Sequence, residues 1–264
     1  MHLESLKLVD TLPSRIVFDA GAGMKLIVEP HAPGVFRIRC GRPEAVAADI
    51  LPGARARVHA EVLLARPEAI GEALLEPLAG PAKGWRLIQG DVTLDIQINP
   101  FQIHLQRLGK NALSLSEGGI ACEDNLWTVG FDLAPEEKIF GLGETSGDLD
   151  RRTETIISDA PDHRALPLAW GPSGWGVYVN TLSRVEHDLG AESPSQYLLG
   201  IEDSTLDLFL FAAEPAEILN QYTQLTGRAG QPSLWTMGVW VEQHSTQSAA
   251  QTAELIAEFR KQNI

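Results

Sequence analysis

No stretch of this sequence approaches the roughly 18 consecutive apolar residues that a membrane-crossing helix needs, so no such helix is predicted. The opening Met1-His2-Leu3-Glu4 has neither a basic start nor an apolar segment behind it, and no secretory leader is expected. Cysteine is nearly absent. Cys40 and Cys122 lie far apart and neither has a CxxC neighbour, which argues against a disulfide framework and against a zinc site. Without a leader, the expectation is two reduced core thiols in a cytoplasmic protein. Basic residues are scarce: 21 Lys and Arg stand against 35 Asp and Glu, a net charge of −14. With no basic stripe, neither a nucleic acid nor an anionic membrane is expected as a partner. Solubility alone accounts for the acidity. A GxSxG elbow, a Ser-His-Asp order, a metal-ligand pair, an internal repeat and a low-complexity tract are missing too, and neither a metal nor a cofactor is expected.

What is present reads as β structure first. The 264 residues, 44% hydrophobic and 21% charged, suffice for one large all-β domain or two smaller ones. Strands are predicted at 15–18, 24–28, 34–39, 61–64, 85–89, 92–98, 101–107 and 127–131. In Val92, Leu94, Ile96 and Ile98 the apolar residues alternate with polar ones at the pleat period, as in a half-buried strand. Leu108-Gly109-Lys110-Asn111 has the composition of a hairpin tip, with Gly and Asn supplying the positive φ. Residues 43–80 are rich in Ala, Pro and Glu, and within them 68–78 is either a short helix or an irregular loop. A second β-rich stretch runs from 139 to 211, with strands at 175–180, 197–201 and 206–211. Between Gly143 and Leu166 lies a long polar segment with a weak strand signal at 155–157. Such segments inside compact domains tend to carry function. Short strands spaced by turns predict a sandwich.

A helix is predicted over 215–226, with Pro215 in its first turn, Ile218, Leu219, Tyr222 and Leu225 on one face, and Gly227 just past its end. After a short linker, residues 234–241 are apolar on both faces, which predicts a strand covered on both sides. A helix over 248–262 follows, opened by a capping box of Ser248 and Gln251 and carrying the stripe Leu255, Ile256, Phe259. A buried strand followed by an amphipathic helix is one β/α unit, and a closed barrel needs about eight. The expectation is a fragment: a sandwich over residues 1–227, then over 228–264 the first strand and helix of a barrel that continues elsewhere. The apolar faces left over predict self-association into dimers or larger species.

Candidate chemistry is sparse. Gly141-Leu142-Gly143 is followed by Ser146 where the third glycine of a phosphate loop would stand, so a tight turn is the better reading. Asp148, Asp150, Asp159, Asp162 and His163 share the polar segment, in spacings that fit neither a calcium loop nor a zinc signature. Solvated loop residues are expected for most of them. His244 follows the predicted barrel strand at the end where barrel active sites are built. It either lines a site or serves packing.

Several stretches, taken in order, carry a resemblance. Phe140-Gly141-Leu142-Gly143-Glu144 is similar to the (Y/F)GLGE signature of glycoside hydrolase family 31, the α-glucosidase and α-xylosidase family. Gly34-Val35-Phe36-Arg37-Ile38-Arg39 resembles its early hFRhR strand, and Asn99-Pro100-Phe101-Gln102-Ile103 its PFxh strand. Gly176 to Thr181 resembles GVhhNT, and Asp207 to Phe211 resembles DhYhF. Tyr222 to Arg228 resembles YxxLTGRP with Ala229 in place of the proline, and Pro232 to Trp240 resembles PPxWALGxW.

The resemblance implies a galactose-mutarotase-like β-sandwich leading into a (β/α)₈ barrel, and retaining hydrolysis of an α-linked oligosaccharide or glycoside, α-glucosidase ahead of α-xylosidase. It places both catalytic aspartates on later barrel strands, so no catalytic residue is expected in this chain and the chain alone is expected to be inactive. In the family, an aspartate of a sandwich loop reaches the −1 sugar subsite. Ile156-Ile157-Ser158-Asp159 fills that setting here without the usual Trp and Arg, which gives Asp159 the substrate-binding role. A stand-alone carbohydrate-binding sandwich, or a structural interaction domain, is the alternative.

Overall fold

Alternation of apolar and polar residues puts one face of each strand inward, and two such sheets can bury those faces only against each other. The computed structural model describes residues 1–46, 63–66, 69–79, 83–144, 146–159, 166–238, 240–242 and 246–263, and of Glu117 the backbone. Its contacts divide the chain into two compact units, Met1–Gly227 and Arg228–Ile264.

The first unit is a sandwich of two antiparallel sheets. Its strands are β1 (Lys7–Leu12), β2 (Arg15–Gly21), β3 (Met24–Ala32), β4 (Val35–Gly41), β5 (Leu74–Pro77), β6 (Gly84–Gln89), β7 (Val92–Ile98), β8 (Phe101–Arg107) and β9 (Lys110–Glu123). They continue with β10 (Leu126–Asp132), β11 (Phe140–Gly141), β12 (Thr155–Ile157), β13 (Leu168–Gly171), β14 (Trp175–Val179), β15 (Val185–Asp188), β16 (Gln196–Glu202) and β17 (Leu206–Ala212). One sheet has the order β1-β2-β3-β4-β17-β14-β13-β11, the other β12-β15-β16-β10-β9-β8-β7-β6-β5. The early meander therefore closes onto the last strand, with Phe36 opposite Leu210 and Ile38 opposite Leu208.

Between the sheets lies one continuous core, in which Phe18, Phe36, Trp127, Phe131, Trp175 and Tyr197 are buried. A second, smaller core covers the outer face of the eight-stranded sheet. There Ile218 and Leu225 of helix α2 (Pro215–Thr226) pack on Val35, Tyr178, Phe209 and Phe211. A four-residue helix α1 (Pro43–Val46) sets Val46 against Val17 and Ile27 on the same face. No helix among the described residues is long and apolar enough to cross a membrane.

Strands β1, β9, β13 and β15 have no counterpart among the predicted ones, and the structure departs from the sequence reading at four further places. Residues 74–77 are strand β5 at the edge of the nine-stranded sheet, paired with β6, where a helix or irregular loop is predicted. Pairing with a long neighbour overrides weak local propensity. At the β8–β9 hairpin the positive φ falls on Leu108 and Gly109 (52° and 72°), and Asn111 is already in β9. Leu63 and Leu64 are outside the strands, and Glu61 and Val62 lie outside the described residues.

The fourth difference is in the second unit. Residues 234–237 form one 3₁₀ turn, and no strand occurs among that unit's described residues. A strand needs ladder partners for its backbone N–H and C=O groups. Among the described residues of Arg228–Ile264 the segment has none, and the local i→i+3 bond of Thr236 to Ser233 (2.9 Å) takes their place. The helix is as read: α3 (Ala249–Lys261) is capped by Ser248, whose hydroxyl accepts from the Gln251 N–H while Gln251 accepts from the Ser248 N–H. Its apolar stripe has no buried residue.

Candidate functional site

Three of the motif-like segments meet in the fold. Arg37 on β4 donates through Nε and Nη2 to the two carboxylate oxygens of Asp207 on β17, at 2.8 and 2.6 Å. Asn180, just past β14, donates to the same carboxylate at 2.7 Å and accepts from the Tyr178 hydroxyl at 3.3 Å. Arg37 also lies over the Phe209 ring, 5.1 Å from its centroid. Arg39 reaches Glu29 on β3 at 2.7 Å. Burial raises the Asp207 carboxyl, but the Arg37 charge and hydrogen bonds, with Arg39 and Asn180, outweigh it and hold the group below the ordinary carboxylate range. These residues staple β3, β4, β17 and β14 under helix α2. They are structural, and their paired charges within strands were the signal by which sequence reasoning could have found them.

The Phe140–Glu144 segment is a turn, as expected. Phe140 stacks on Trp170 with ring centroids 4.9 Å apart, and β11 pairs with β13. Gly141 has φ of +102°, and a β-carbon there would lie 2.2 Å from the Leu168 carbonyl oxygen. Only glycine fits such a position without strain. Gly141→Ala is expected to destabilise the sandwich by about 1–3 kcal/mol, read as a lower urea midpoint. An unchanged midpoint would show that the turn yields.

The polar segment that follows is tied down rather than free. Asp150 accepts from the backbone N–H groups of Ile139 (3.1 Å) and Arg152 (3.2 Å), so the expectation of a solvated side chain fails for it. A carboxylate beside unpaired backbone donors satisfies them, and that decides its place. Asp148 is exposed, as expected. Arg152 donates to the carbonyls of Ala134, Glu137 and Pro194 at 3.1, 2.8 and 2.6 Å. Arg151, 5% exposed, donates to the Ser146 carbonyl at 3.0 Å.

Strand β12 then adds to the edge of the nine-stranded sheet, with Ile156 opposite His187 on β15. His187 is 1% exposed and shares a 2.7 Å hydrogen bond with the Tyr197 hydroxyl. Burial pushes its pKa down to about 3. The imidazole is therefore neutral at pH 7, a rigid floor beneath β12.

Asp159 stands on the turn after β12, exposed to solvent. The residue before it is clamped twice: the Ser158 N–H donates to the Val185 carbonyl, and the Ser158 hydroxyl accepts from the Val185 N–H, both at 2.8 Å. Ser158 lines a cleft of about 470 Å³ together with Leu166, Tyr178, Leu182, Val185 and Tyr222. Asp159 follows Ser158 in the chain and is not among the cleft's lining residues. Asp162, His163 and His244 lie outside the described residues.

Comparisons with known proteins agree with this architecture. Residues 25–188 match the glycosyl hydrolase 31 N-terminal galactose mutarotase-like domain. An α-xylosidase of Lactiplantibacillus pentosus is 28% identical over 115 residues, 40% of this chain and 15% of its own length. An α-glucosidase of Saccharolobus solfataricus is 26% identical over 182 residues, 62% of this chain and 26% of its own. Among solved structures, a Flavobacterium johnsoniae family 31 dextranase in complex with isomaltotriose superposes with a TM-score of 0.82 at 19% identity, over 100% of this chain and 33% of that one. The chain thus spans about a quarter or less of these two curated relatives. Since the family match covers more than half of it, the chain belongs to glycoside hydrolase family 31, whose N-terminal domain it carries.

Proposed function

We propose that this chain is the N-terminal portion of a retaining α-glycosidase, whose sandwich supports the barrel and whose β12 turn brings Asp159 to the −1 sugar subsite. The observation that carries the reading is the double clamp on Ser158. A carboxylate that must meet one sugar hydroxyl gains from a rigid base, because little entropy is then lost on binding. Its relatives include α-xylosidases, α-glucosidases and, among solved structures, a dextranase. The longer match to an α-glucosidase supports an α-linked glucoside as the leading substrate, with the xyloside second.

In the full-length enzyme, Asp159→Ala is expected to lower kcat/KM by roughly tenfold to a hundredfold, the equivalent of one charge-assisted hydrogen bond. Asp148→Ala should leave it unchanged. Near-wild-type kinetics for both would refute the role of Asp159.

Retaining hydrolysis uses two carboxyl groups about 5 Å apart, and this reading assigns neither to the present chain. The chain alone should leave p-nitrophenyl α-glucoside uncleaved. Turnover that vanishes when one of its own acids is replaced would contradict that. We also propose that Arg228–Ile264 begins the barrel. Leu234, Trp235 and Trp240, exposed at 88%, 74% and 72%, then find cover on later barrel elements and promote self-association without them. His244 is proposed to line the barrel mouth. The two free, buried thiols suit a reducing, cytoplasmic setting.

A further inference from the structure

The cleft beside Ser158, about 470 Å³ in volume, is also lined by Tyr222 and Thr226 from the last turns of helix α2. Deep in it, Tyr178 and Val185 are 2% and 1% exposed. Leu166 and Leu182, which line it too, stand 53% and 59% exposed. A single exposed leucine is ordinary on a folded protein, but two on one concave surface mark a place that another body covers.

The polar groups of the lining narrow what that body is. The Ser158 hydroxyl accepts from the Val185 N–H at 2.8 Å, and Thr181 donates to the Asp203 carboxylate at 2.5 Å. Tyr178 donates to the Asn180 side chain at 3.3 Å, and Thr226 to the Tyr222 carbonyl at 2.9 Å. Hydroxyls engaged inside the sandwich in this way give a sugar or an anion little to bond with. No charged side chain is among the described lining residues. What faces outward is mainly apolar, as in the centre of a protein–protein contact.

Position in the chain says which protein surface belongs there. Ser158 stands immediately before Asp159, which is proposed to reach a sugar held by the barrel. Thr226 is the last residue of α2, and the first unit ends one residue later at Gly227. The chain matches a third or less of the length of its relatives. If it is the N-terminal portion of such an enzyme, most of the protein lies outside it and rests on the sandwich somewhere. We propose that this cleft is the seat of the catalytic barrel, filled by apolar side chains of barrel elements beyond Ile264. The inference rests on the reading of the chain as an N-terminal portion, and it names the surface by which the sandwich would carry the rest.

Hydroxyl-radical footprinting reads the solvent exposure of individual side chains, and comparing the chain with the full-length enzyme tests the seat directly. Leu166 and Leu182 should be oxidised several-fold more slowly in the full-length enzyme. A slowing no larger than that of Leu126 on β10, itself 46% exposed, would overturn the proposal. So would a slowing that the chain alone shows on concentration, which would give the cleft to a second copy. A slowing that needs added D-glucose would make it a sugar site and count equally against the barrel. Leu166→Asp and Leu182→Asp supply a second measurement. Each should leave the urea midpoint of the chain alone unchanged, as substitutions at exposed positions usually do, and lower that of the full-length enzyme. An equal fall in both proteins would mean that the chain itself covers these leucines, and no fall in either would mean that nothing does; both outcomes refute the seat. The kinetics of Asp159→Ala test the underlying reading separately. An enzyme crippled by that substitution whose cleft stays open would sink this inference and leave that reading standing.

Discussion

Arg37→Met should lower the stability of the sandwich by about 3–5 kcal/mol, because it strips a buried carboxylate of its main counter-charge. In the folded chain the Arg37 side chain is 5% exposed and that of Asp207 14%. After the substitution Asp207 keeps Asn180 as a neutral donor and loses the two-pronged guanidinium. The carboxyl then has either to take up a proton or to remain charged in an apolar layer. Adding Asp207→Leu should restore most of the loss, since a buried pair replaced by packed apolar side chains is often neutral or better. Urea denaturation of the two variants at pH 7 reads this directly. A double variant as unstable as the single one would show that packing around Phe209, and not the orphaned charge, was responsible.

Acid should unfold this chain earlier than its carboxylates alone predict. His187 and His31 ordinarily titrate near 6.5, and burial in the fold holds them at about 3 and about 4. Between those values and 6.5 the unfolded chain binds more protons than the folded one, so stability falls as pH falls. The loss begins near pH 6.5, continues to about 4 for His31 and ends near 3 for His187. Each ring adds a slope of up to about 1.4 kcal/mol per pH unit, so stability should drop by several kcal/mol between pH 6 and pH 4. Asp207 adds to the loss below its ordinary range near 3.8, because its carboxyl is held low in the fold. His187→Gln, whose amide can still pair with the Tyr197 hydroxyl, should start less stable at pH 7 yet fall about half as steeply. Denaturant midpoints that stay level from pH 7 to pH 4.5 would count against both rings.

Where a strand announced itself by its own alternation, the sequence was enough. Val92–Ile98 and Phe101–Arg107 are read to the residue, the weakly signalled Thr155–Ile157 has the same bounds, and so has helix Pro215–Thr226 with its proline at one end and Gly227 at the other. What local pattern does not carry is partnership. β9 was missed because its buried Ser114 and Ser116 and the glycine pair 118–119 hide the period. Residues 234–241 have the composition of a buried strand, but composition supplies no neighbour to hydrogen-bond with, and over Leu234–Met237 the backbone turns on itself. The candidate site shows the same limit. Asp159 could be singled out only through a family resemblance, since an exposed loop aspartate has no signature of its own. The clamp on Ser158 and the His187 floor come from β15, some thirty residues further on. Arg37 and Asp207 were legible in principle: two arginines at the pleat period in one apolar strand, and a lone aspartate in another, each ask for a mate.

The closure of β4 onto β17 has a consequence for how the chain is made. The two strands are joined by the Arg37–Asp207 pair across 170 positions. At the usual pace of about 5–20 residues per second, the ribosome delivers the second partner roughly 9–34 s after the first. During that wait the β1–β4 meander has its β4 edge unpaired as well as its β1 edge, and an unpaired edge is a template for other chains. The charged Arg37 and Arg39 on the β4 edge, which later staple the sheet, are also what would keep two nascent copies from zipping together there, before Asp207 arrives to claim the strand.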